Sequence, residues 1–477
     1  MAEPHFLVLT FPGQGHINPA IQFAKRLVLA GAIVTFATPT HAHRRMQQSK
    51  DVERLTYASF SDGFDDSPDD DPKEDLSKYM EKFNEIGPQS VSNLIRSLAQ
   101  QGPPVTCVVY TILLPWAADS ARAMGIPSLL LWIQPAALFA IYYHYFHGYE
   151  EIIKSKQASF ALVEFPGLPP FPTKDLPSFF QPTNNYPFIF SCLGKIFQVL
   201  DKESKPKVFA NTFEALEADV MGAVRHLELM GVGPLIPLAF LGGRETADKS
   251  IGGDLHKCSR DYLEWLDSKP NSSVIYVSFG SFSVLPENQM VEILNGVLAS
   301  CHPFLWVIRN SEEGQSSAEF WKNIRDAEAA KQGLVVPWCS QVEVLSHPSV
   351  GCFVTHCGWN STLESLAVGV PMVGFPQWTD QPTNMKLVES VWKAGVRAKV
   401  NEEGVLEGGE LRRCLDLVIG DGEEGEEMRR NAAKWRDSAR EAAGEGGSSE
   451  ENIRALVEET RKRVAAAACG SQESKAR

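Results

Sequence analysis

The fold is decided by residues 6–38, FLVLTFPGQGHINPAIQFAKRLVLAGAIVTFAT. The apolar run Phe6–Phe11 predicts a buried strand, and apolar residues then recur at helical spacing up to Gly31. The pair Asn18-Pro19 is typical of an N-cap followed by the first helical residue. Ile33–Thr38 predicts the next strand. A strand, a helix and a strand within about thirty residues indicate a βαβ unit, and hence a parallel sheet with helices on both faces.

A second series of the same kind predicts a second α/β domain. The first series continues through Val105–Tyr110 and Pro127–Ile133. The second has helical patterns between its predicted strands, which are Ser273–Phe279, Phe304–Ile308, Leu334–Pro337, Gly351–Thr355, Pro371–Phe375 and Val396–Val400. We therefore predict two doubly wound, Rossmann-like domains that face each other across a cleft, and such sheets bind ligands at the carboxyl ends of their strands.

A weakly periodic stretch separates the two series. Residues 241–258 contain Gly-Gly twice, and we interpret them as the linker between the domains. Residues 1–240 then form an N-terminal domain and residues 259–448 a C-terminal domain. A helix is predicted over 449–466, crossing back to the N-terminal domain, with a flexible tail over 467–477.

Composition limits the classes of partner. The 477 residues include 45 Lys and Arg against 59 Asp and Glu, a formal charge of −14. This balance argues against a nucleic-acid or anionic-membrane surface, because both require a basic face. The nine cysteines form no CxxC pair, and the apolar start is too short for a signal peptide or a membrane span. We expect a cytoplasmic monomer without stable membrane insertion, whose anion sites are local.

The turn Pro12–His16 is the first candidate for chemistry. It follows a strand and precedes a helix, so its backbone N–H groups can approach a ligand. It is similar to the GxGxxG loop of nicotinamide-dependent oxidoreductases, but Asn18 occupies the third glycine position and no acidic residue ends the strand Ile33–Thr38. That function is therefore disfavoured. His16, at the tip of the turn, suits either a packing role or a general base.

The segment Trp338–Gln381 carries the most specific pattern in the chain. It starts with Trp-Cys-x-Gln, passes through His-Cys-Gly-Trp-Asn-Ser-x-x-Glu and ends with Asp-Gln. Nearly position for position, it resembles the signature box of plant UDP-sugar-dependent glycosyltransferases of secondary metabolism, and Phe11–Pro19 and Ser278–Ser281 extend the resemblance. The resemblance implies the GT-B fold, UDP-glucose as co-substrate, no other cofactor and no metal. It also implies that the donor is bound by Gly15, Ser281, Trp338, Cys339, Gln341, His356, Trp359, Asn360, Ser361, Glu364, Trp378, Asp380 and Gln381.

The chemistry of UDP-glucose fits these residue types. Trp338, at the end of a predicted strand, can stack on uracil, and Glu364 can accept hydrogen bonds from both ribose hydroxyls. The helix that contains Glu364 aims its N-terminal N–H groups and its dipole at the pyrophosphate, and Ser281 is a second donor. The final Gln381 matches the pattern that the family links to glucose.

Two metal sites are alternatives to this interpretation. His347, Cys352, His356 and Cys357 lack a regular finger spacing, and Cys352 falls in a predicted strand, where a buried thiol is expected. The segment Asp69–Asp71 contains an Asp-x-Asp of the kind that holds a metal in single-domain glycosyltransferases. It lies in an acidic run that we interpret as a solvated loop, so no metal is expected.

The family resemblance also implies a mechanism. His16 would remove the acceptor's proton while the acceptor oxygen attacks the anomeric carbon and UDP leaves from the opposite face, which gives a β-glucoside. Many members orient this histidine with an Asp five residues before the Trp of a Pro-Trp-Ala segment. Here that Trp is Trp116, and Thr111 stands at the Asp position. An acidic acceptor, a hydroxyl contact from Thr111, or a carboxylate from elsewhere would each explain this difference.

The acceptor is the part of the predicted reaction that the sequence determines least. Thr111–Ala118 and Leu131–Ala136 are similar to the branch that contains anthocyanin 5-O-, flavonoid and auxin glucosyltransferases, all with acidic acceptors. The leading prediction is transfer to a phenolic hydroxyl of a flavonoid or anthocyanidin-like molecule. Formation of a glucose ester on an acid such as indole-3-acetate is the alternative. C-glucosylation and an inactive nucleotide-sugar binder also stay open. The acceptor pocket is predicted to include Phe83, Trp132, Gln134, Tyr142, Phe188 and Phe190.

Overall fold

The computed structural model describes most of the chain. It covers residues 3–46, 52–65, 76–156, 161–181, 186–242, 253, 255, 261–309 and 317–475, with side chains up to residue 467. The predicted linker lies mostly outside the described residues, and the segment Asp69–Asp71 lies wholly outside them.

The N-terminal half is built on a parallel sheet. Its strands are β1 (His5–Leu9), β2 (Ile33–Pro39), β3 (Leu55–Phe60), β4 (Cys107–Thr111), β5 (Ser128–Trp132), β6 (Leu162–Val163), β7 (Phe171–Pro172), β8 (Lys207–Ala210) and β9 (Glu228–Gly231). Seven of them form one sheet in the order β3-β2-β1-β4-β5-β8-β9, and β6 pairs with β7. The strand order reverses between β1 and β4, so a crevice opens at their carboxyl ends.

The C-terminal half repeats this design. Its strands are β10 (Val274–Ser278), β11 (Phe304–Val307), β12 (Gly333–Val336), β13 (Val350–Thr355), β14 (Met372–Gly374) and β15 (Gly395–Arg397). They form a parallel sheet in the order β12-β11-β10-β13-β14-β15, with the reversal between β10 and β13. The predicted class, two doubly wound α/β domains, is confirmed.

Helices cover the sheets and connect the strands. They are α1 (Gln14–Leu29), α2 (Thr40–Arg45), α3 (Leu76–Gln101), α4 (Trp116–Ala123), α5 (Ala136–His144), α6 (Glu150–Ser155), α7 (Pro187–Leu200), α8 (Glu214–Met221), α9 (Asp261–Asp267), α10 (Glu287–Ala299), α11 (Ala318–Ala329), α12 (Gln341–Leu345), α13 (Trp359–Val368), α14 (Gln381–Ser390), α15 (Gly408–Ile419), α16 (Glu423–Ala443) and α17 (Ser448–Lys475). In the described part of the chain, no helix combines the length and apolar character that crossing a bilayer requires.

The start of α1 differs from the prediction. The helix begins at Gln14, with Gly13 as N-cap, so the assignment of Asn18 and Pro19 as cap and first helical residue is wrong. Pro19 therefore lies inside the helix, where it has no N–H for the carbonyl of Gly15 four residues earlier. That carbonyl is left for a donor from outside the helix.

The last helix, α17, lies against the N-terminal half. Ser449 Oγ donates to the Gly233 carbonyl at 2.7 Å, and Asn452 Nδ2 donates to the Gly231 carbonyl at 2.9 Å. The helix continues through residues 467–475, where the sequence predicted a tail.

Direct polar contacts join the two halves beside the cleft. The backbone N–H of Thr379 donates to Ser178 Oγ at 2.7 Å, and Arg397 forms an ion pair with Asp175 at 2.6 Å. Asp175 is 5% exposed on its side chain, so its end of the pair is shielded from solvent. These contacts hold the two sheets with the carboxyl ends of their central strands facing the same space.

A buried carboxylate fixes helix α5, which carries part of the cleft wall. Glu217 accepts hydrogen bonds from the backbone N–H groups of Ala136 and Ala137 at 2.9 and 2.8 Å. These are orphan donors in the first turn of the helix, and a negative charge there also suits the helix dipole. Burial raises the pKa of Glu217, and the N–H contacts oppose that shift.

Replacing Glu217 with Ala should destabilise the protein. Two buried N–H groups would lose their acceptor, which we expect to cost about 2–3 kcal/mol of unfolding free energy. Urea unfolding followed by far-ultraviolet circular dichroism measures this change. Glu217→Gln keeps one acceptor oxygen and should fall between the two proteins, and an unfolding midpoint for Glu217→Ala equal to wild type would contradict the assignment.

Candidate active site

Two adjoining cavities occupy the cleft. The larger, of about 650 Å³, is walled mainly by apolar residues of the N-terminal half, and the smaller, of about 250 Å³, mainly by loops of the C-terminal half. We call them the larger and the smaller cavity. Their walls share Gln14, Gly15, His16, Ile112, Gln134, Ser281, Trp338 and Asp380. A molecule in one cavity therefore meets a molecule in the other at the loop that carries His16.

His356 lies at the base of the smaller cavity, in the turn between β13 and α13. It fits there because two glycines leave room: a Cβ at Gly280 would come within 2.7 Å of His356 Nε2, and one at Gly358 within 2.6 Å. Gly280 also has a φ of +78°, which favours glycine. Desolvation lowers the pKa of His356 to about 4, so the ring is neutral at pH 7.

Three polar residues form a network beside this turn. Gln341 Nε2 donates to Ser361 Oγ at 2.9 Å and to Glu364 Oε2 at 2.8 Å. Glu364 is 6% exposed and lines the smaller cavity with the other two. The network fixes the carboxylate, whose two oxygens have lone pairs for several hydrogen bonds.

The tryptophans of the predicted donor site differ in their surroundings. Trp338 lines both cavities, and Cys339 beside it is buried, with its Sγ 3.4 Å from the hydroxyl of Tyr276. Trp359 lines the smaller cavity, but its Nε1 donates to the Asn211 carbonyl of the N-terminal half at 2.8 Å. Trp359 thus has a structural contact in addition to its place on the wall.

Trp378, Asp380 and Gln381 lie where α14 begins. Trp378 lines the larger cavity, with its ring stacked on Phe282 at 5.4 Å, and Asp380 lines both cavities. The side-chain oxygen of Gln381 accepts hydrogen bonds from the backbone N–H groups of Gln377 and Trp378 at 2.8 and 3.1 Å. Gln381 is buried and does not line either cavity. The role that the structure shows for it is to hold this turn.

A hydrogen bond across the cleft joins the two loops. Asn360 Nδ2, in the first turn of α13, donates to the carbonyl of Gly15 at 2.9 Å. This is the carbonyl that Pro19 leaves without a donor in α1. The break in one helix is therefore completed by a side chain of the other domain.

His16 lies between the two cavities with its ring 5.2 Å from the ring of Phe11. Its Nδ1 is buried and has no hydrogen-bond partner among the described residues. Desolvation lowers the pKa of His16 to about 4. Thr111, at the predicted position of its partner, instead directs its hydroxyl to Thr10 Oγ1 at 3.4 Å.

The residues predicted for the acceptor pocket divide into two groups. Gln134, Tyr142 and Phe188 line the larger cavity. The other three, Phe83, Trp132 and Phe190, line neither cavity in the structure. Phe83 and Trp132 are completely buried. Phe190 packs against Tyr145, Phe146 and Phe180.

Several wall residues were not predicted from the sequence. Gln14 Oε1 accepts from the backbone N–H of Leu255 at 2.9 Å, which brings Leu255 onto the wall of the larger cavity. The guanidinium of Arg309 donates to the carbonyls of Ser281 and Ser283 and so holds the loop after β10. A signal for Arg309 existed, because a charged residue directly follows the apolar strand Phe304–Ile308. The remaining unpredicted residues on the wall of the larger cavity include His41, Arg45, Leu76, Met80, Leu113, Phe179, Ile189, Leu193 and Phe282.

The residues considered as zinc ligands are separated. His347 contacts Ser349 and Asp267, and Cys352 is completely buried. Within the described ranges, no group of three or more His, Cys, Asp or Glu side chains is arranged to hold a metal ion.

Comparisons with known proteins identify the family. The family model for UDP-glucoronosyl and UDP-glucosyl transferase matches residues 199–431. Phloretin 4'-O-glucosyltransferase from Malus domestica is 51% identical over 476 residues, which cover 96% of this chain and 98% of that protein. The chain belongs to this family. The resemblance stated from the signature box is thereby confirmed.

Further relatives agree in fold and in class. Anthocyanidin 3-O-glucoside 5-O-glucosyltransferase from Verbena hybrida is 46% identical over 468 residues, covering 96% of this chain and 99% of that protein. The crystal structure of Os79 from O. sativa in complex with UDP superposes with a TM-score of 0.84 at 33% identity, covering 95% of this chain and 100% of that one. The two-domain arrangement is the GT-B fold, and the chain is a UDP-sugar-dependent glycosyltransferase.

Replacing Pro19 with Ala tests the contact across the cleft. The alanine would supply the N–H that Gly15 lacks, so the carbonyl would turn back into α1 and release Asn360. Because interior Pro is unfavourable by about 3 kcal/mol relative to Ala, the melting temperature should not fall. We expect kcat/KM to fall about fivefold, which corresponds to one hydrogen bond of about 1 kcal/mol.

A double-mutant cycle with Asn360→Ala separates this effect from general damage. The loss caused by Pro19→Ala should disappear in the Asn360→Ala background, because the two residues act on one carbonyl. Strictly additive losses would contradict the coupling.

Proposed function

We propose that this protein transfers glucose from UDP-glucose to a phenolic hydroxyl of a flavonoid-like acceptor, with inversion, to give a β-glucoside. The observation that carries this proposal is the position of His16 on the wall shared by an apolar cavity and a polar one. A base at this junction is placed to meet an acceptor on one side and the anomeric carbon of a donor on the other.

The smaller cavity suits the UDP part of the donor. Trp338 offers a flat face for uracil, and Glu364, oriented by Gln341, offers acceptors for the ribose hydroxyls. Helix α13 presents its N-terminal N–H groups and its positive dipole end beside His356 and Ser281, where the pyrophosphate would lie. These fixed donors would stabilise the charge that builds on the leaving UDP.

Asp380 and Trp378 border the junction on the donor side. Asp380 is held by Thr379 Oγ1 at 2.7 Å and Asn384 Nδ2 at 2.6 Å, and burial raises the pKa of this carboxyl. We assign the binding of the sugar hydroxyls to Asp380 and Trp378. Gln381 acts as a positioning residue, through its hydrogen bonds to the turn.

The state of His16 favours an acidic acceptor. With its pKa lowered to about 4, the imidazole is neutral and can accept a proton, but it is a weak base. A phenolic hydroxyl has a pKa of about 10 in water, whereas water itself has one of about 15.7 and an aliphatic hydroxyl is similarly weak as an acid. The relatives named above, a phloretin 4'-O- and an anthocyanidin 5-O-glucosyltransferase, support a phenolic acceptor.

Glucose ester formation is the second candidate, and the same observation favours it. A carboxylic acid with a pKa of about 4 is already ionised at pH 7 and needs no base. Treatment of the product with mild alkali separates the two functions, because an ester is cleaved and a phenolic glucoside is not.

Replacing His16 with Ala tests the base. Incubation with UDP-glucose and phloretin, followed by mass spectrometry, should show kcat lower by about 10²- to 10⁴-fold, the usual contribution of general-base catalysis. The KM for UDP-glucose should change little, because the smaller cavity, where we propose that UDP binds, is formed mainly by the C-terminal half. An acid acceptor should lose much less activity than a phenol in the same variant. Full activity of His16→Ala on phloretin would refute the assignment.

Replacing Thr111 with Asp tests why the base is weak. In the wild-type protein, kcat/KM should fall only as the pH approaches about 4, because protonation of His16 removes the base. A carboxylate near the ring stabilises its protonated form and should raise its pKa by about 1–3 units, which moves the acidic limb to higher pH. Thr111→Asn is the uncharged control and should leave the limb in place. A profile unchanged by Asp would contradict the argument.

A further inference from the structure

A second histidine, paired with a carboxylate, lies on the wall of the larger cavity. His41, in α2, lines this cavity, and its side chain is 13% exposed. Its Nδ1 lies 3.2 Å from Asp62 Oδ2, and Asp62 is completely buried. Neither residue has a part in the transfer proposed above.

Asp62 is held as an ionised group. It accepts a hydrogen bond from the hydroxyl of Tyr79 at 2.7 Å and one from the backbone N–H of Phe64 at 3.0 Å. Burial alone would raise the pKa of Asp62, but the contacts with His41, Tyr79 and Phe64 outweigh burial and keep this pKa below its ordinary value. An ionised carboxylate only accepts, and its contact with Nδ1 of His41 at 3.2 Å is an ion-pair distance without the alignment of a hydrogen bond.

This arrangement leaves the other ring nitrogen for the cavity. Among the residues that the structure describes, neither ring nitrogen of His41 has a hydrogen-bond partner, and Nδ1 is buried beside Asp62, which leaves Nε2 for the cavity. An imidazole nitrogen accepts a hydrogen bond from a hydroxyl when it carries no proton and donates one to an anion when it does.

The surroundings of His41 favour an acidic oxygen on the ligand. Arg45, four residues further along α2, lines the same end of the cavity, and Leu76 and Met80 add apolar surface from α3. Among the described residues on the wall of the larger cavity, the carboxylate is Asp380, which belongs to the C-terminal half. A flat apolar ligand with a phenolic hydroxyl or a carboxylate fits this end.

His41 is separated from His16 by two aromatic rings in contact. The ring of Phe11 lies 5.2 Å from that of His16 and 5.8 Å from that of Tyr79, and Tyr79 lies 6.5 Å from His41. One ligand surface can therefore run from the base to the second histidine along apolar walls. The two polar groups lie at different ends of the same cavity.

We propose that His41, held by Asp62, binds a second oxygen of the acceptor, a phenolic hydroxyl or a carboxylate, remote from the oxygen that is glucosylated. The acceptor class is then an aromatic molecule with acidic oxygens at both ends. This inference rests on the proposed function for the identity of the reacting end. Its test through binding does not depend on turnover.

Three stilbenes that differ at one position provide the test. In 4,4′-dihydroxystilbene either end can react, and the opposite hydroxyl is left for His41. In 4-hydroxystilbene that group is absent, and in 4-hydroxy-4′-methoxystilbene it has size but no proton. Dissociation constants come from quenching of tryptophan fluorescence, since Trp338 and Trp378 line the cavity, and turnover is measured separately with UDP-glucose.

The wild-type protein should bind the dihydroxy compound about tenfold more tightly than the other two, as expected for one hydrogen bond. In His41→Phe, which keeps a ring beside Tyr79 but no nitrogen, the three constants should agree within about twofold. His41→Leu should behave in the same way and replaces the first variant if that one does not fold. His43→Leu is the matched control on the same helix, away from the cavity wall, and should keep the tenfold preference.

Two results would overturn the inference: equal affinities in the wild-type protein, or an undiminished preference in both His41 variants. A preference in binding that depends on His41, without glucosylation of any of the three compounds, would support the inference and refute the proposed function. The two failures are therefore distinguishable.

Discussion

The hydrogen bond from Asn360 to the Gly15 carbonyl joins the two loops that meet where the larger and the smaller cavity adjoin. It joins the turn that carries His16, at the end of β1, to the first turn of α13, at the end of β13. Each turn sits at the switch point of its own sheet, so neither sheet alone sets the distance between base and donor. The contact exists because Pro19 cannot donate to Gly15. The hydrogen bond that Pro19 removes from α1 is thus replaced by one between the two domains.

Among the residues that the structure describes, no Lys or Arg lies on the wall of the smaller cavity, where we propose that the pyrophosphate binds. His356 is neutral, because its pKa is lowered to about 4, and the guanidinium of Arg309 is engaged by the carbonyls of Ser281 and Ser283. The charge of Arg309 therefore acts through the loop that it holds. Backbone N–H groups and the dipole of α13 supply the remaining potential. This explains how a chain with a formal charge of −14 can bind a pyrophosphate.

The fold could be predicted from the sequence because parallel strands are buried on both faces. Each predicted strand is present, since runs such as Ser273–Phe279 are continuous and apolar. Five strands were missed because they are short or mix polar with apolar residues: Leu55–Phe60, Leu162–Val163, Phe171–Pro172, Lys207–Ala210 and Glu228–Gly231. The start of α1 was misplaced because Pro19 is typical of a first turn, and only the other domain makes an interior Pro acceptable.

The donor side and the acceptor side differ in how well a sequence can predict them. The donor residues follow one another within 44 positions of the chain, so their spacing is visible. The wall of the larger cavity is assembled from α2, α3, α5 and α7, and an aromatic residue on these helices serves the core as readily as the cavity. Phe83 and Trp132 are buried away from the cavity, whereas Tyr142, which is equally buried, and Phe188 lie on its wall. Only the packing of the helices separates these cases.

The substitution at Thr111 connects the chemistry of the base with the choice of acceptor. Its hydroxyl contacts Thr10 and not His16, and within the described residues no carboxylate contacts His16 Nδ1. Among the described residues, these contacts support neither a hydroxyl contact from Thr111 nor a carboxylate from elsewhere, and an acidic acceptor is the explanation that we propose. A weak base has a second consequence, because water is as poor an acid as an alcohol. Under the proposed function, His16 would therefore also be a poor base for hydrolysis of the donor by water.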